Sequence, residues 1–483
     1  MTETVVDQLM VRATAALTNH KWVEAIALFE VALVRSPDLV SAMLGAATAA
    51  RANGDHARAV VFLTRADRTE PGNADIAIAL GEALVATSRL SEAATAFERA
   101  RAAKPLDAAL AARLGAVRLA AGDADGAVSA FEAALRLNPG EPSAVSGLGS
   151  ALVAAGRPLA AVEAFRRMGE DRPHPDRAVA LLALGDMAGG FADLDAVAHR
   201  PVWAGSLPDW DGAPLDRPLL VWAGADPRDL VTFAPALRLA RSLVSDLFLV
   251  APKPFVRLGS AFQGVGKSVS DNDEISGWLG AAAAAAPLAG LPHRLGLTAG
   301  SFSAAQPLLV AESMLADRWN ARLELGRGKP TVGLVWGGSL GLGDLASLAG
   351  ISDLRFVALE RLSSSMLARS SGASGWEVAG APIRIEHPGP DFEAGVDARI
   401  DCVALMSRLD AVVAIDGLPL RLAGALGRPG VALLPAAADW LWRLEGERTP
   451  IHPSLHLLRQ QSDGGLKNLL PDAVQRIRDM LRR

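Results

Sequence analysis

The sequence predicts an α-helical repeat solenoid followed by a pair of α/β domains, each built on a parallel sheet. Three observations predict it. Five prolines, Pro37, Pro71, Pro105, Pro139 and Pro173, stand 34 residues apart. From Leu219 onward that period disappears, and short apolar runs alternate with helical stretches. The same alternation restarts after Gly326-Arg327-Gly328, so two facing parallel-sheet domains follow the array. At 483 residues the chain is too long for one core, which agrees with this division.

Counted back from each proline, small residues recur at Ala25, Ala59, Ala93, Ala127 and Ala161. Four residues further on stand Phe29, Leu63, Phe97, Phe131 and Phe165. Leu-Gly pairs mark the preceding helices at Leu80-Gly81, Leu114-Gly115 and Leu148-Gly149. Small residues where two antiparallel helices touch, with an aromatic knob between them, form the tetratricopeptide pattern. The array is expected over residues 1–190, as about five repeats plus a capping helix, Arg177 to Ala188, broken by Gly189-Gly190. Its binding face belongs to the first helix of each repeat. That face should carry Leu44, Thr48 and Arg51, then Ile78, Glu82 and Val85, then Ala112, Ala116 and Leu119, then Ser146, Ser150 and Val153. Such a groove suits an apolar or amphipathic polypeptide client.

Residues 191–218 form a Trp- and Pro-rich connector. The first α/β domain, 219–326, opens with an apolar strand at Leu219 to Ala223, a helix from about Leu230 to Leu243 and a strand at Leu247 to Ala251. The stretch Ala281 to Leu295, with six alanines in a row, reads as helix or loop. The second domain, 329–483, has strands at Thr331 to Trp336, Phe356 to Leu359 and Ile383 to Glu386. Its centre is VVAIDGLPLRLAGALGRPGVALLP, Val412 to Pro435: strand, acidic tip, small-residue helix, glycine stop, strand. The helix in that unit turns its free N–H groups towards the ligand edge of a parallel sheet.

Composition excludes several classes. A net charge of −5 gives no basic excess for nucleic acid. One cysteine, Cys402, rules out an internal disulfide framework and a cysteine-based zinc site. The eight histidines are dispersed, and Asp271-Asn272-Asp273 lacks further ligands, so no metal is expected. Gly264 to Ser268 ends like a phosphate-binding loop, but Ala261 stands where that motif needs its first glycine. Met1 to Gln8 has no basic and apolar leader, and Gly280 to Leu288 is about half the ~20 residues that span a bilayer. The expected setting is cytoplasmic, without a membrane span.

LPDWDGAPL (Leu207 to Leu215) followed by LLVWA, VGLVWGG at Val332 to Gly338, and DAVVAIDGLPLRLAGALGRPGVALLP with DWLWRLEGERTPIHPSLHLLRQ after it resemble bacterial tetratricopeptide-repeat glycosyltransferases. The resemblance implies a GT-B-like pair of Rossmann-like domains, a metal-independent site and a nucleotide-sugar co-substrate, with no other cofactor. Some alphaproteobacterial relatives of this layout modify flagellin, which would make flagellin a client. Gly224 to Asp229 (GADPRD) stands where the family reads roughly EQGLGD, and Arg421 where it has a histidine.

Two residues become candidates for catalysis, Asp229 and Asp416. Each could position or deprotonate an acceptor, or could be a helix N-cap. Arg421 is the candidate for a donor diphosphate, or a salt-bridged surface arginine. Gly338, Ser339 and Gly341 could turn N–H groups to phosphate, and Glu360 and Arg361 lie at the same edge. Two functions remain open: a protein glycosyltransferase whose repeats hold the client, or a non-catalytic binding scaffold with a degenerate transferase half.

Overall fold

The computed structural model describes residues 2–482 apart from 170, 171, 271–274, 299, 301–306, 371–373, 396, 397, 444, 445 and 462–464. It divides into two compact units, Met1–Arg172 and Pro173–Arg483.

The first unit is a stack of antiparallel helices: α1 (Thr2–Thr18), α2 (Trp22–Arg35), α3 (Val40–Ala52), α4 (His56–Thr69), α5 (Ala74–Ala86), α6 (Leu90–Ala103), α7 (Ala108–Ala120), α8 (Ala124–Leu137), α9 (Pro142–Ala154) and α10 (Pro158–Arg166). Asp55, Asn73, Asp107 and Asp123 cap α4, α5, α7 and α8 by accepting from their first-turn N–H groups. The ring knobs Phe29, Phe97, Phe131 and Phe165 are almost wholly buried. Each presses on a glycine of a neighbouring first helix: a Cβ at Gly45 would fall 2.3 Å from the Phe29 ring, and one at Gly149 2.4 Å from Phe165. The 34-residue period therefore encodes a shape match, ring into notch, repeated along the stack.

The second unit opens with α11 (Pro175–Ala183) and α12 (Met187–Val197). The expected break at Gly189-Gly190 is absent; the chain turns earlier, at Gly185 (φ 87°), and α12 runs through both glycines. Two contacts explain this. Asp186 caps α12 at Gly189 N–H, 2.9 Å away, and a Cβ at Gly190 would meet Leu182 at 2.5 Å, so glycine permits the close helix crossing. Half-buried Arg177 and buried Asp193 pair in two bonds of 2.6 Å, and Asp195 pairs with Arg294 at 2.8 Å. The Arg177 pair ties the two helices to each other, and the Asp195 pair ties them to the helix Leu291–Arg294, so they belong with the α/β unit, whereas the sequence placed them at the end of the array.

Two parallel sheets follow. The first contains β1 (Leu219–Trp222), then α13 (Pro227–Thr232), α14 (Ala234–Arg241), β2 (Leu247–Val250), α15 (Val256–Gly259), β3 (Lys267–Val269), α16 (Ser276–Leu279), β4 (Ala284–Pro287) and α17 (Leu291–Arg294), in strand order β3-β2-β1-β4. Pro235 divides the expected Leu230 to Leu243 helix into α13 and α14. The alanine run becomes strand β4, buried on both faces and paired with β1 from Leu219↔Ala284 to Trp222↔Pro287; pairing overrides alanine's helix preference. The Gly264 to Ser268 stretch leads into β3, with Gly266 N–H bonded to Leu247 C=O, and residues 271–273 lie outside the described residues.

After α18 (Ser313–Leu323) come β5 (Thr331–Val335), β6 (Arg355–Ala358), the antiparallel pair β7 (Leu367–Arg369) and β8 (Trp376–Val378), α19 (Ile400–Met406), β9 (Ala411–Ile415), α20 (Leu418–Ala425), β10 (Gly430–Leu434), β11 (Leu455–Arg459) and α21 (Leu470–Leu481). The second sheet has order β11-β10-β9-β5-β6. The strand expected at Ile383 to Glu386 reduces to isolated bridges at Glu386. Pro382 and Pro388, which lack N–H donors, bound it. One apolar core runs from α11 and α12 through the inner faces of both sheets, including Val221, Leu249, Val412 and Leu434. Both sheets are compatible with Rossmann-like domains. Among the described residues no helix is long and apolar enough to cross a membrane.

Candidate functional site

In a parallel sheet the ligand crevice opens at the strand C-termini, where the order reverses direction. In the first sheet that point lies between β1 and β4. A cavity of 440 Å³ opens there, lined by Trp222 to Ala225 after β1, Val250 to Pro252 after β2, Pro287 to Ala289 after β4, and His199, Trp203 and Asp229. Its walls are mostly apolar, with Trp203 set edge-on to Trp222 at 6.0 Å. Asp229 is its acid. Burial, followed by the charge of Asp226, pushes its carboxyl up to about 6, against the opposing pull of Arg421 and Arg228. Asp229 is not the N-cap of α13: Asp226 is, accepting from Arg228 N at 2.8 Å and gripping the Arg228 guanidinium.

In the second sheet the order reverses between β5 and β9. The residues proposed from the sequence gather around this point in two groups. Asp416 ends β9, and Arg421 sits on the first turn of α20. Arg421 is only 3% exposed, so it is no surface arginine. Its Nη1 donates to Thr232 Oγ1 at 2.7 Å and its Nη2 to Asp439 Oδ2 at 2.8 Å, with Asp416 Oδ1 3.8 Å away. The bond to Thr232 crosses from the second sheet to α13 of the first. Asp416 is not a helix cap either; Gly417 occupies that position, and burial holds the Asp416 carboxyl above its usual range. Beneath Arg421, His452 is fully buried with both ring nitrogens lacking a hydrogen-bond partner among the described residues. Burial and the Arg421 charge hold it down to about 3. It fits because α20 has Gly424 there; a Cβ would lie 2.4 Å from the ring.

The other group lines a cavity of 290 Å³ beside the start of α20: Glu360, Arg361, Glu393, Arg399, Leu418 and Pro419 among them. Glu360 accepts from Trp336 N at 2.8 Å, and burial raises its carboxyl. Gly338 and Ser339 form an exposed turn closed by paired Gly337 and Leu340 backbone bonds, while Gly341 N–H is taken by Asp344 at 2.8 Å. Of the three residues proposed for a phosphate-binding turn, Gly341 therefore has its donor engaged.

The repeat face holds the other group. Leu44, Ile78, Leu119 and Val153 are half-buried there, and Val85 is exposed. Arg51, Glu82 and Arg113 form a ladder across three first helices, with both arginines 2.9 Å from Glu82. A cavity of 540 Å³ between α7 and α9 is lined by Ala112, Arg113, Ala116, Leu119, Phe131 and Gly147, among others. The ladder thus adds Arg113 to the charges at Arg51 and Glu82, beside a lining that is mostly Ala, Leu and Phe.

Sequence reasoning missed Asp439, Thr232, His452 and Arg113. Asp439 follows β10 at the ligand edge, a legible signal. Arg113 occupies the register of Gly45, Ala79 and Gly147, and a charged residue among these small ones also could have been read. Thr232 and His452 carry no sequence signal of their role. Among the described residues no group of three or more His, Cys, Asp or Glu side chains could hold a metal ion, and Cys402 is buried.

Tetratricopeptide-repeat family patterns match residues 10–74, 50–116 and 118–185. No curated protein matches the sequence. Among solved structures, "Crystal structure of MamA protein" is 24% identical, covers 35% of this chain and 91% of that one, and has a TM-score of 0.33. "MamA 41-end from Desulfovibrio magneticus RS-1" is 20% identical, with 35% and 95% covered and a TM-score of 0.31. "Crystal structure of YrrB: a TPR protein with an unusual peptide-binding site" is 20% identical, with 38% and 97% covered and a TM-score of 0.33. The N-terminal region of the chain is a tetratricopeptide-repeat array, an architecture suited to binding proteins.

Proposed function

We propose that this chain is a protein glycosyltransferase whose repeats bind a polypeptide client and whose α/β unit moves a sugar onto it from a nucleotide sugar. The observation that carries this reading is Asp229: a carboxyl group raised to about 6, lining a cavity at the β1/β4 crevice, within reach of the Arg421 and Asp439 charges of the second sheet. In the proposed step Asp229 takes the proton of an acceptor hydroxyl as its oxygen attacks the anomeric carbon. The bond to the nucleoside diphosphate breaks, and that group leaves with the electron pair. Its charge needs donors on the second sheet. The Gly338-Ser339 turn, the start of α20 and Arg361 supply them, while the charge of enclosed Arg421 is taken up by Asp439 and Asp416. Flagellin is a client consistent with the family resemblance, and Leu44, Ile78 and Leu119 provide its apolar contacts.

Calorimetry with UDP-, GDP-, CMP- and dTDP-sugars tests the donor half. Binding of one donor by wild type, retained in Asp229→Asn and weakened at least tenfold in Arg361→Ala, is expected. A second reading, a non-catalytic scaffold, is favoured by the Arg421 guanidinium already being bound to Thr232 and Asp439. No heat with any donor supports that reading instead.

A further inference from the structure

We infer that Thr232 and Asp439 are positioning residues for Asp229, joined through buried Arg421 into one relay that fixes α13 against the second sheet. The inference rests on Asp229 being the base, and deepens that reading by naming what holds it. Thr232 lies three residues beyond Asp229 on the short helix α13. Its hydroxyl donates to Arg228 C=O at 2.9 Å and accepts from Arg421 at 2.7 Å, so its orientation is set from both sides. Asp439 is set likewise: Oδ1 accepts from Leu441 N at 3.0 Å, and Oδ2 from Arg421 at 2.8 Å. Arg421 is therefore held between two fixed partners, one on α13 and one in the loop after β10, and α13 and α20 pack directly on each other.

A helix of six residues has few bonds of its own to keep it in place. The link from Thr232 to Arg421 is its polar tie to the second sheet. Without it α13 can shift and admit water to Asp229. The charged groups that act on Asp229 are Asp226 and Arg228 from its own segment, Arg421 from α20 and Asp439 from the loop after β10. The relay keeps the last two at a fixed distance from it.

The test uses the full chain labelled with carboxyl-13C aspartate, with Asp229→Asn to identify the resonance. Titration needs neither donor nor client, so its result stands apart from whether sugar transfer occurs. In wild type the Asp229 carboxyl, pushed up to about 6 by burial, should give a midpoint there. Thr232→Val should lower that midpoint by about one unit, a tenfold change in proton affinity, as water reaches the carboxylate. Thr232→Ser, which keeps the hydroxyl, should restore it. Asp439→Asn should also lower it, directly by removing a negative charge and also through the loosened Arg421, so the double variant should fall further than either single change but by less than their sum. If Thr232→Val does not fold, Thr232→Ala carries the same comparison with less bulk. A wild-type midpoint in the hydroxyl-free variants, no restoration by serine, or fully additive shifts would each overturn the relay.

Discussion

The two units handle charge in opposite ways. In the repeat unit Asp67, tied to Arg99, is the charged side chain buried among the described residues; the core is otherwise apolar, mostly Ala with Leu, Val, Ile, Met and Phe. The α/β unit buries Asp193, Thr232, Glu386, Glu393, Asp401, Arg421 and His452. Burying ionisable groups is unfavourable unless they are paired, and even paired they add little stability over apolar residues. The repeats use their sequence on shape, which is what a binding surface needs. The α/β unit keeps a costly charged cluster where two sheets' ligand edges meet, which is what chemistry at a site needs.

Substitutions can break this contrast. The largest effect is expected at Arg421→Ala, which leaves Asp416 and Asp439 without their common partner and should cost about 3–5 kcal/mol by chemical denaturation. Gly45→Val in the repeats is next. Its side chain would collide with the Phe29 ring, and the loss should be about 2–3 kcal/mol, seen as earlier loss of helical circular dichroism. The two effects differ in kind: the first should change with pH, the second should not.

Asp229→Asn should act in the opposite direction. The folded-state pKa of Asp229 is raised from 3.8 to about 6, so the native state binds the proton more tightly than the unfolded state. Stability is then highest below the lower value and falls as pH rises through the window to about 6. Above that window the ionised carboxylate weakens the fold. The amide removes this penalty, so Asp229→Asn should gain about 1–2 kcal/mol at pH 7.5 and nothing at pH 3. Thermal unfolding at both pH values checks it; a loss at pH 7.5 would mean the carboxylate is stabilising. The smallest effect belongs to Glu82→Gln, which breaks an exposed ladder and should change repeat stability by less than about 1 kcal/mol. Client affinity measured on the same variant shows whether the ladder serves binding.

The contrast also explains what could be read in the sequence. Periodic shape is legible because each ring and notch recurs 34 residues later, so five registers test one another. The strand ends were legible too, and with them Asp229 and Asp416 at the ligand edge. The partners of Arg421 were not. Thr232 is 189 residues away from it, and no local pattern links a helix of one sheet to a helix of another. Asp229 looked like a cap because caps are acids before helices, yet Asp226 took that role and left Asp229 facing the cavity. Local propensity also failed at Ala281 to Ala286, where pairing with β1 decided the outcome.

The central claim is that the α/β unit acts chemically on what the repeats hold. Its most direct test is mass spectrometry of polypeptides captured by the full chain in cells carrying either wild type or Asp229→Asn. The account predicts that a captured polypeptide gains the mass of a sugar residue with wild type and lacks it with Asp229→Asn. Identical masses with both would contradict it.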